Sequence, residues 1–251
     1  MSNTIAYLSE RKKESKSDIF LSELAHFHSL LKLSQPPEAG LELIINTLLL
    51  QLKSEYPNAG SVYWSNRCWA LIYWQPVYLA VYAVHKHHNW IFFNDFKLGF
   101  DNSSVSGFFF SKPNWLAEKT DNQSIDDLID HQAHELKILL EDYFKQLSRS
   151  IRIHPINAWR LIADCILMVL LEIDEVNQPD KVRFSTIWLK KLAFYDRNNK
   201  PYSQYKQTEI KTSDLTHCKN RLVLKRKSCC MHFLIDPNNP CISCNKYSCK
   251  K

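Results

Sequence analysis

The sequence predicts a mostly helical α+β body with a small antiparallel β element and a short cysteine-rich segment near its C-terminal end. Three observations predict this. Apolar residues recur at helical spacing through most of residues 18–194. Short aromatic runs separated by turn formers lie between Asn89 and Phe110. Five of the eight cysteines fall between Cys229 and Cys249. With 251 residues, 45% of them apolar, the chain can bury a substantial core. Four glycines against seven Trp, eleven Tyr and thirteen Phe favour helices around bulky side chains.

Residues 18–34 place Leu21, Leu24, Ala25, His28 and Leu31 on one helical face, and "QPPEAG" ends the pattern before a second helix over Leu41 to Leu52. The pair is expected to form an opening helical hairpin. In the aromatic run "GSVYWSNRCWALIYWQPVYLAVYAV" periodicity does not decide between a buried helix and strands, and its length favours a helix broken near Pro76. "NWIFFNDFKLGF" and "VSGFFF", flanking "DNSS", form the β element. Ser124 and Asp127 make a capping box for a long amphipathic helix whose stripe includes Leu136, Leu139, Leu140, Tyr143, Phe144 and Leu147. His154 and Pro155 open a central core helix to Leu171, with Arg160 and Asp164 spaced to pair along it. A shorter helix covers residues 183–194. From Asn198 the text turns polar and reads as a linker, which divides the chain into a helical body, residues 1–197, and a tail, residues 198–251.

Composition also excludes classes. The longest apolar run, Ala70 to Val84, is shorter than the ~20 residues that cross a bilayer, so no transmembrane segment is expected. Charges in "MSNTIAYLSERKKESKSDIF" occupy the place of a secretory signal's apolar core, and a cytoplasmic, reducing location is expected. The four glycines cannot build a G-x-G-x-x-G phosphate turn, so electrons for any redox chemistry should come from another protein. Residues 217–251 carry eight Lys/Arg against one acid, Asp236, but no nucleic-acid reading motif accompanies them and none is expected to bind there.

The tail pattern is C-C-x10-C-x2-C, with "DPNNP" in the spacer to fold four thiolates back to one place. A structural zinc site usually uses two C-x2-4-C knuckles, and only Cys241 and Cys244 make one. Adjacent residues such as Cys229 and Cys230 tend to point apart, which suits a larger two-iron cluster better than one tetrahedral ion. This leans the reading towards iron–sulfur and leaves zinc open.

With this spacing near the C-terminal end, the tail resembles the FhuF-type ferric-siderophore reductases. The resemblance covers residues 225–245. It implies that Cys229, Cys230, Cys241 and Cys244 ligate a [2Fe-2S] cluster, the C-terminal iron–sulfur segment of the fold, and that no catalytic residue is needed beyond it. It further implies an oxidoreductase of iron acquisition: one electron passes to Fe(III) in a siderophore of hydroxamate type, bound by the body, and Fe(II) is released. Hydroxamate oxygens hold Fe(III) far better than the softer Fe(II). The electron donor would be a ferredoxin or another reductase protein. Lys225, Arg226 and Lys227 would tune the cluster or dock that donor, with solvated surface charges as the alternative. Cys249, His217 and Cys218 are further possible ligands. The alternatives are an iron–sulfur siderophore-binding or sensor protein without turnover, and a zinc-stapled binding module.

Other features have plainer readings. His85, His87 and His88 are expected to be solvated, and His131 and His134 to lie on a helix surface. Trp64, Trp69, Trp74 and Trp90 are read mostly as core packing, with a wall of a chelate groove as the alternative. Cys68 and Cys165 should be buried core thiols.

Overall fold

The computed structural model describes residues 15–101, 104–112, 115–117, 123–211, 218–239, 241 and 244. Its helices are α1 (Lys16–Phe27), α2 (Leu41–Glu55), α3 (Gly60–His87), α4 (Ile125–Ser150), α5 (Pro155–Glu172) and α6 (Gln178–Lys191). Two antiparallel hairpins join them, β1 (Phe96–Asp101) with β2 (Ser104–Phe110), and β3 (Gln204–Lys211) with β4 (Cys218–Lys225). The expected mostly helical α+β class is the observed one.

α3 is the axis. It packs against α2, α4 and α5, and from Ile72 to His85 all but Trp74 are buried. Pro76 does not break it. A proline inside a helix costs about 3 kcal/mol through its missing N–H and ring clash; here burial of both flanking turns among helices offsets that cost. Trp69 Nε1–H donates to the Ala158 carbonyl (3.1 Å) and the Tyr73 hydroxyl to that of Leu161 (3.3 Å), which fixes α5 against α3. α4 begins at the expected capping box, with Ser124 and Asp127 each bonding the other's backbone N–H.

Other sequence expectations change as well. α1 ends at Phe27, and α1 and α2 each pack on α3 in place of forming a hairpin with one another. Beyond α1 the chain extends, and Leu30, Lys32 and Ser34 bond to β2 through Gly107 and Phe108. Gly107 takes φ +74, and a Cβ there would stand 2.7 Å from the Lys32 carbonyl oxygen, so close approach of this segment requires glycine. Part of the stretch read as a linker is strand β3: Tyr205 donates to the Leu167 carbonyl (2.7 Å), Tyr205 and Leu224 pack on the core, and Leu222 is buried. Polar composition concealed a hairpin that has one face on α5. Finally, Asp164 pairs with Arg226 and not with Arg160, which lies over the Tyr202 ring.

No helix among the described residues is long and apolar enough to cross a membrane.

Candidate metal centre

The tail cysteines are placed by what precedes them. β4 runs along α5 and ends at Lys225, so the chain leaves the hairpin with Arg226 directly over Asp164 of α5. Arg226 Nε–H donates to Asp164 Oδ2 (3.1 Å). Asp164 also accepts from Ser203 Oγ (2.6 Å) and Ser228 Oγ (3.4 Å). A carboxylate 3% exposed is thus held by three donors from the two ends of the β3–β4 hairpin and anchors the start of the cysteine segment. Burial pushes its carboxyl up to about 6, with Arg226 and the two serines opposing, so the pair is ionised at neutral pH. Burial works against the Arg226 charge, but Asp164 more than compensates and the guanidinium is held more firmly than usual.

After Cys229 and Cys230 the backbone turns through Met231, which adopts the left-handed conformation (φ 62), and a 3-10 turn at His232–Leu234. Asp236 closes the expected turn by accepting from the Asn239 N–H (3.1 Å). This returns the chain so that Cys230 Sγ and Cys241 Sγ stand 3.7 Å apart. Tetrahedral metal–sulfur bonds of about 2.3 Å place two ligand sulfurs about 3.8 Å apart, so this pair suits a shared metal ion. Cys229 Sγ accepts from the Met231 N–H (3.4 Å), and the Cys244 N–H bonds the Cys241 carbonyl (2.9 Å) within the C-x2-C turn. Cys244 is buried, and the other three thiols are half-buried.

Electrostatics couple the Cys229 and Cys241 thiols to Cys230 and Cys244. Burial and then Cys230 push the Cys241 thiol up to about 12, with Arg226 opposing and Cys244 adding to the rise. The Cys229 thiol is raised by burial and by Cys230 and Cys244, against the Met231 hydrogen bond. Thiols held up in this way are protonated at neutral pH, so loading a metal releases protons. Among the described residues no three His, Cys, Asp or Glu side chains gather around a single point. The Cys230–Cys241 spacing suits a thiolate-bound metal group, a zinc ion or an iron–sulfur cluster alike. The ligands of such a group would be Cys230 and Cys241 as one pair, with Cys229 and Cys244 beside them.

The three basic residues part company. Lys225 is exposed, and Lys227 Nζ is turned to the Pro201 carbonyl. Arg226 points inward, 15% exposed, with Nη1 3.8 Å from Cys241 Sγ. Of the three, it is the residue placed to act on the sulfurs. Asp164, its anchor, was not legible as such in the sequence.

Beside the Cys230–Cys241 pair opens a cavity of about 370 Å³, lined by Tyr63, Asn66, Arg67, Tyr73 and Arg226 among others. A second, of about 380 Å³, continues from it past Arg67, Tyr73 and Arg226 to Trp74 and Tyr78. Of the four tryptophans weighed for a groove wall, Trp74 alone lines these cavities. Trp69 is core, Trp64 donates to the Tyr56 carbonyl, and Trp90 stacks on His131 at 5.0 Å. Arg67 gave no signal in the sequence.

Among the described residues, the histidines weighed in the sequence lie away from the cysteines. His85, expected in solvent, is 4% exposed; its ring nitrogen accepts from Trp188 Nε1–H (2.9 Å), and burial lowers its pKa to about 3. His87 is half-buried, with its ring 3.2 Å from Glu23. His131 and His134 are on the α4 surface as expected, and Cys68 and Cys165 are buried. Cys218 opens β4, while His217 and Cys249 lie outside the described residues. No family model matches the chain, and no solved structure gives a significant match.

Proposed function

We propose that this chain is a cytoplasmic ferric-siderophore reductase of FhuF type, with Cys229, Cys230, Cys241 and Cys244 holding a [2Fe-2S] cluster. The carrying observation is the 3.7 Å Cys230–Cys241 sulfur pair lining a cavity large enough for a chelate. When bound, the cluster supplies one electron to chelated Fe(III), yielding Fe(II), and is refilled by a ferredoxin or another electron-donor protein.

The chain's own residues support that chemistry in three ways. Arg226 directs an N–H at the Cys241 sulfur, and a cation and hydrogen bond at a ligand sulfur favour the reduced, more negative state. Asp164 fixes that guanidinium, so its orientation does not depend on solvent. The cavity walls bring a bound chelate beside Cys230 and Cys241 without any acid–base group being required. Hard-oxygen chelates hold Fe(II) weakly, and release follows reduction.

Iron and acid-labile sulfide analysis of anaerobically purified protein tests the cofactor. About two irons and two sulfides per chain are expected, lost in Cys230→Ser and Cys241→Ser and retained in Cys249→Ser. One zinc per chain with no sulfide would overturn the assignment in favour of a zinc-stapled module. Mixing dithionite-reduced protein with a ferric hydroxamate should reoxidise it; reoxidation no faster than in buffer would point to a sensor without turnover.

A further inference from the structure

The groove has a chemical character that the cysteines do not dictate. At its outer end Trp74 meets Tyr78 edge-on (5.6 Å, 80°) and His28 at a tilt (4.9 Å), a wall in which each ring supports the next. Leu30 and Met168, 45% and 41% exposed, extend this apolar surface to the rim. At its inner end stand Cys230, Cys241 and the fixed Arg226.

Between the two ends lies Arg67. It lines both cavities, is exposed, and makes no hydrogen bond or ion pair among the described residues. Asp164 is the one carboxylate among the residues lining either cavity, and it is committed to Arg226, Ser203 and Ser228. The groove therefore offers a guanidinium engaged in no ion pair among the described residues, with Glu55 beside it only in a neighbouring cavity, a fork suited to carboxylate oxygens, beside an aromatic wall and in the same cavity as the thiols. Each cavity falls in the size range of small-molecule sites, about 300–1,000 Å³.

We propose that this groove is the chelate-binding site and that it selects ferric chelates bearing carboxylate and net negative charge, through Arg67, over cationic ones. This rests on the reductase reading for the identity of the ligand as a ferric chelate. Trp74 and Tyr78 take up the chelate's hydrocarbon arms, and Arg67 binds its carboxylate so that the metal faces Cys230 and Cys241.

Isothermal titration calorimetry of the iron-loaded full chain with two redox-inert probes tests it. The probes are the anionic Ga(III) complex of a citrate-based dihydroxamate and the cationic Ga(III) complex of a linear trihydroxamate bearing a free amine. The anionic probe should bind about tenfold more tightly or better, and added salt should reduce the difference. Arg67→Gln should bring the two to near parity with iron and sulfide content unchanged, and Arg67→Lys should recover part of the preference. Equal binding of both probes, or a preference that survives in Arg67→Gln, overturns the proposal. Reduction of the matching Fe(III) complexes, followed separately, distinguishes the two ideas. Turnover without charge preference removes the Arg67 site and leaves the reductase; charge-selective Ga(III) binding without turnover leaves the site and removes the reductase.

Discussion

Asp164 shows how one buried carboxylate can organise a site made elsewhere in the chain. It accepts from Ser203, Arg226 and Ser228, and so fixes both ends of the β3–β4 hairpin to α5. Removing one partner of a buried charge pair costs about 3–5 kcal/mol, since the other charge is left uncompensated. Asp164→Ala should therefore lower the unfolding free energy by about 3 kcal/mol, measured by urea denaturation of the metal-free protein. The pH dependence has a definite sign. The folded-state value, about 6, lies above the ordinary 3.8, so the folded form holds the proton more tightly. The contribution of this group to stability is complete below about pH 4 and is lost as pH rises through about 6. A urea midpoint that falls across that window in the parent, and stays flat there in Asp164→Asn, is the expected result. The sequence pointed to Arg160 as the partner because that residue is one helical turn away, but 62 residues separate Asp164 from Arg226, and only the fold brings them together.

At the scale of elements, local rules succeeded where the determining contacts are local. The capping box at Ser124 and Asp127 was legible because both partners lie within one turn, and the stripe of α4 because helical spacing records its buried face. Ser124→Ala should cost about 1 kcal/mol and lower the midpoint of thermal unfolding, while Ser124→Asp, which keeps an acceptor, should restore most of it. Local rules failed at Pro76 and at residues 204–211. In α3 the signal for a break is real, but helices packed on several sides keep the axis continuous. In β3 the residues are polar because one side of the hairpin faces away from the core, and a linker has the same composition. What distinguishes them is Tyr205 on Leu167 and Leu222 in the core, contacts made across the molecule.

At the scale of the whole molecule, the cysteine segment is attached to the helical body at both a charge pair and a cavity wall. Arg226 reaches α5, while Tyr63, Asn66, Arg67 and Tyr73 of α3 face Cys230 and Cys241. A group bound by four thiolates closes the Cys229–Cys244 loop and should stabilise the folded chain, because an intact site exists only there. Removing the metal anaerobically with acid and a chelator, then returning to neutral pH, should lower the thermal midpoint by about 5 °C, as read by circular dichroism. Exchange protection of amides in residues 226–235 should fall more than that of α4. An unchanged midpoint would separate metal binding from the fold.

The sequence by itself determined the mostly helical class, the first β-hairpin, the capped amphipathic helix and the C-C-x10-C-x2-C spacing, because each is written within a few residues or one short loop. The tertiary structure alone decided that Arg226 turns inward to Asp164 and Cys241 while Lys225 stays in solvent. It also decided that Trp74, and none of the other tryptophans considered, faces the groove, and that Arg67 stands there in no ion pair among the described residues. Each of these depends on which faces of α3, α5 and β4 meet. That meeting is set by burial of the shared core, and residues far apart in the chain acquire a common role only through it.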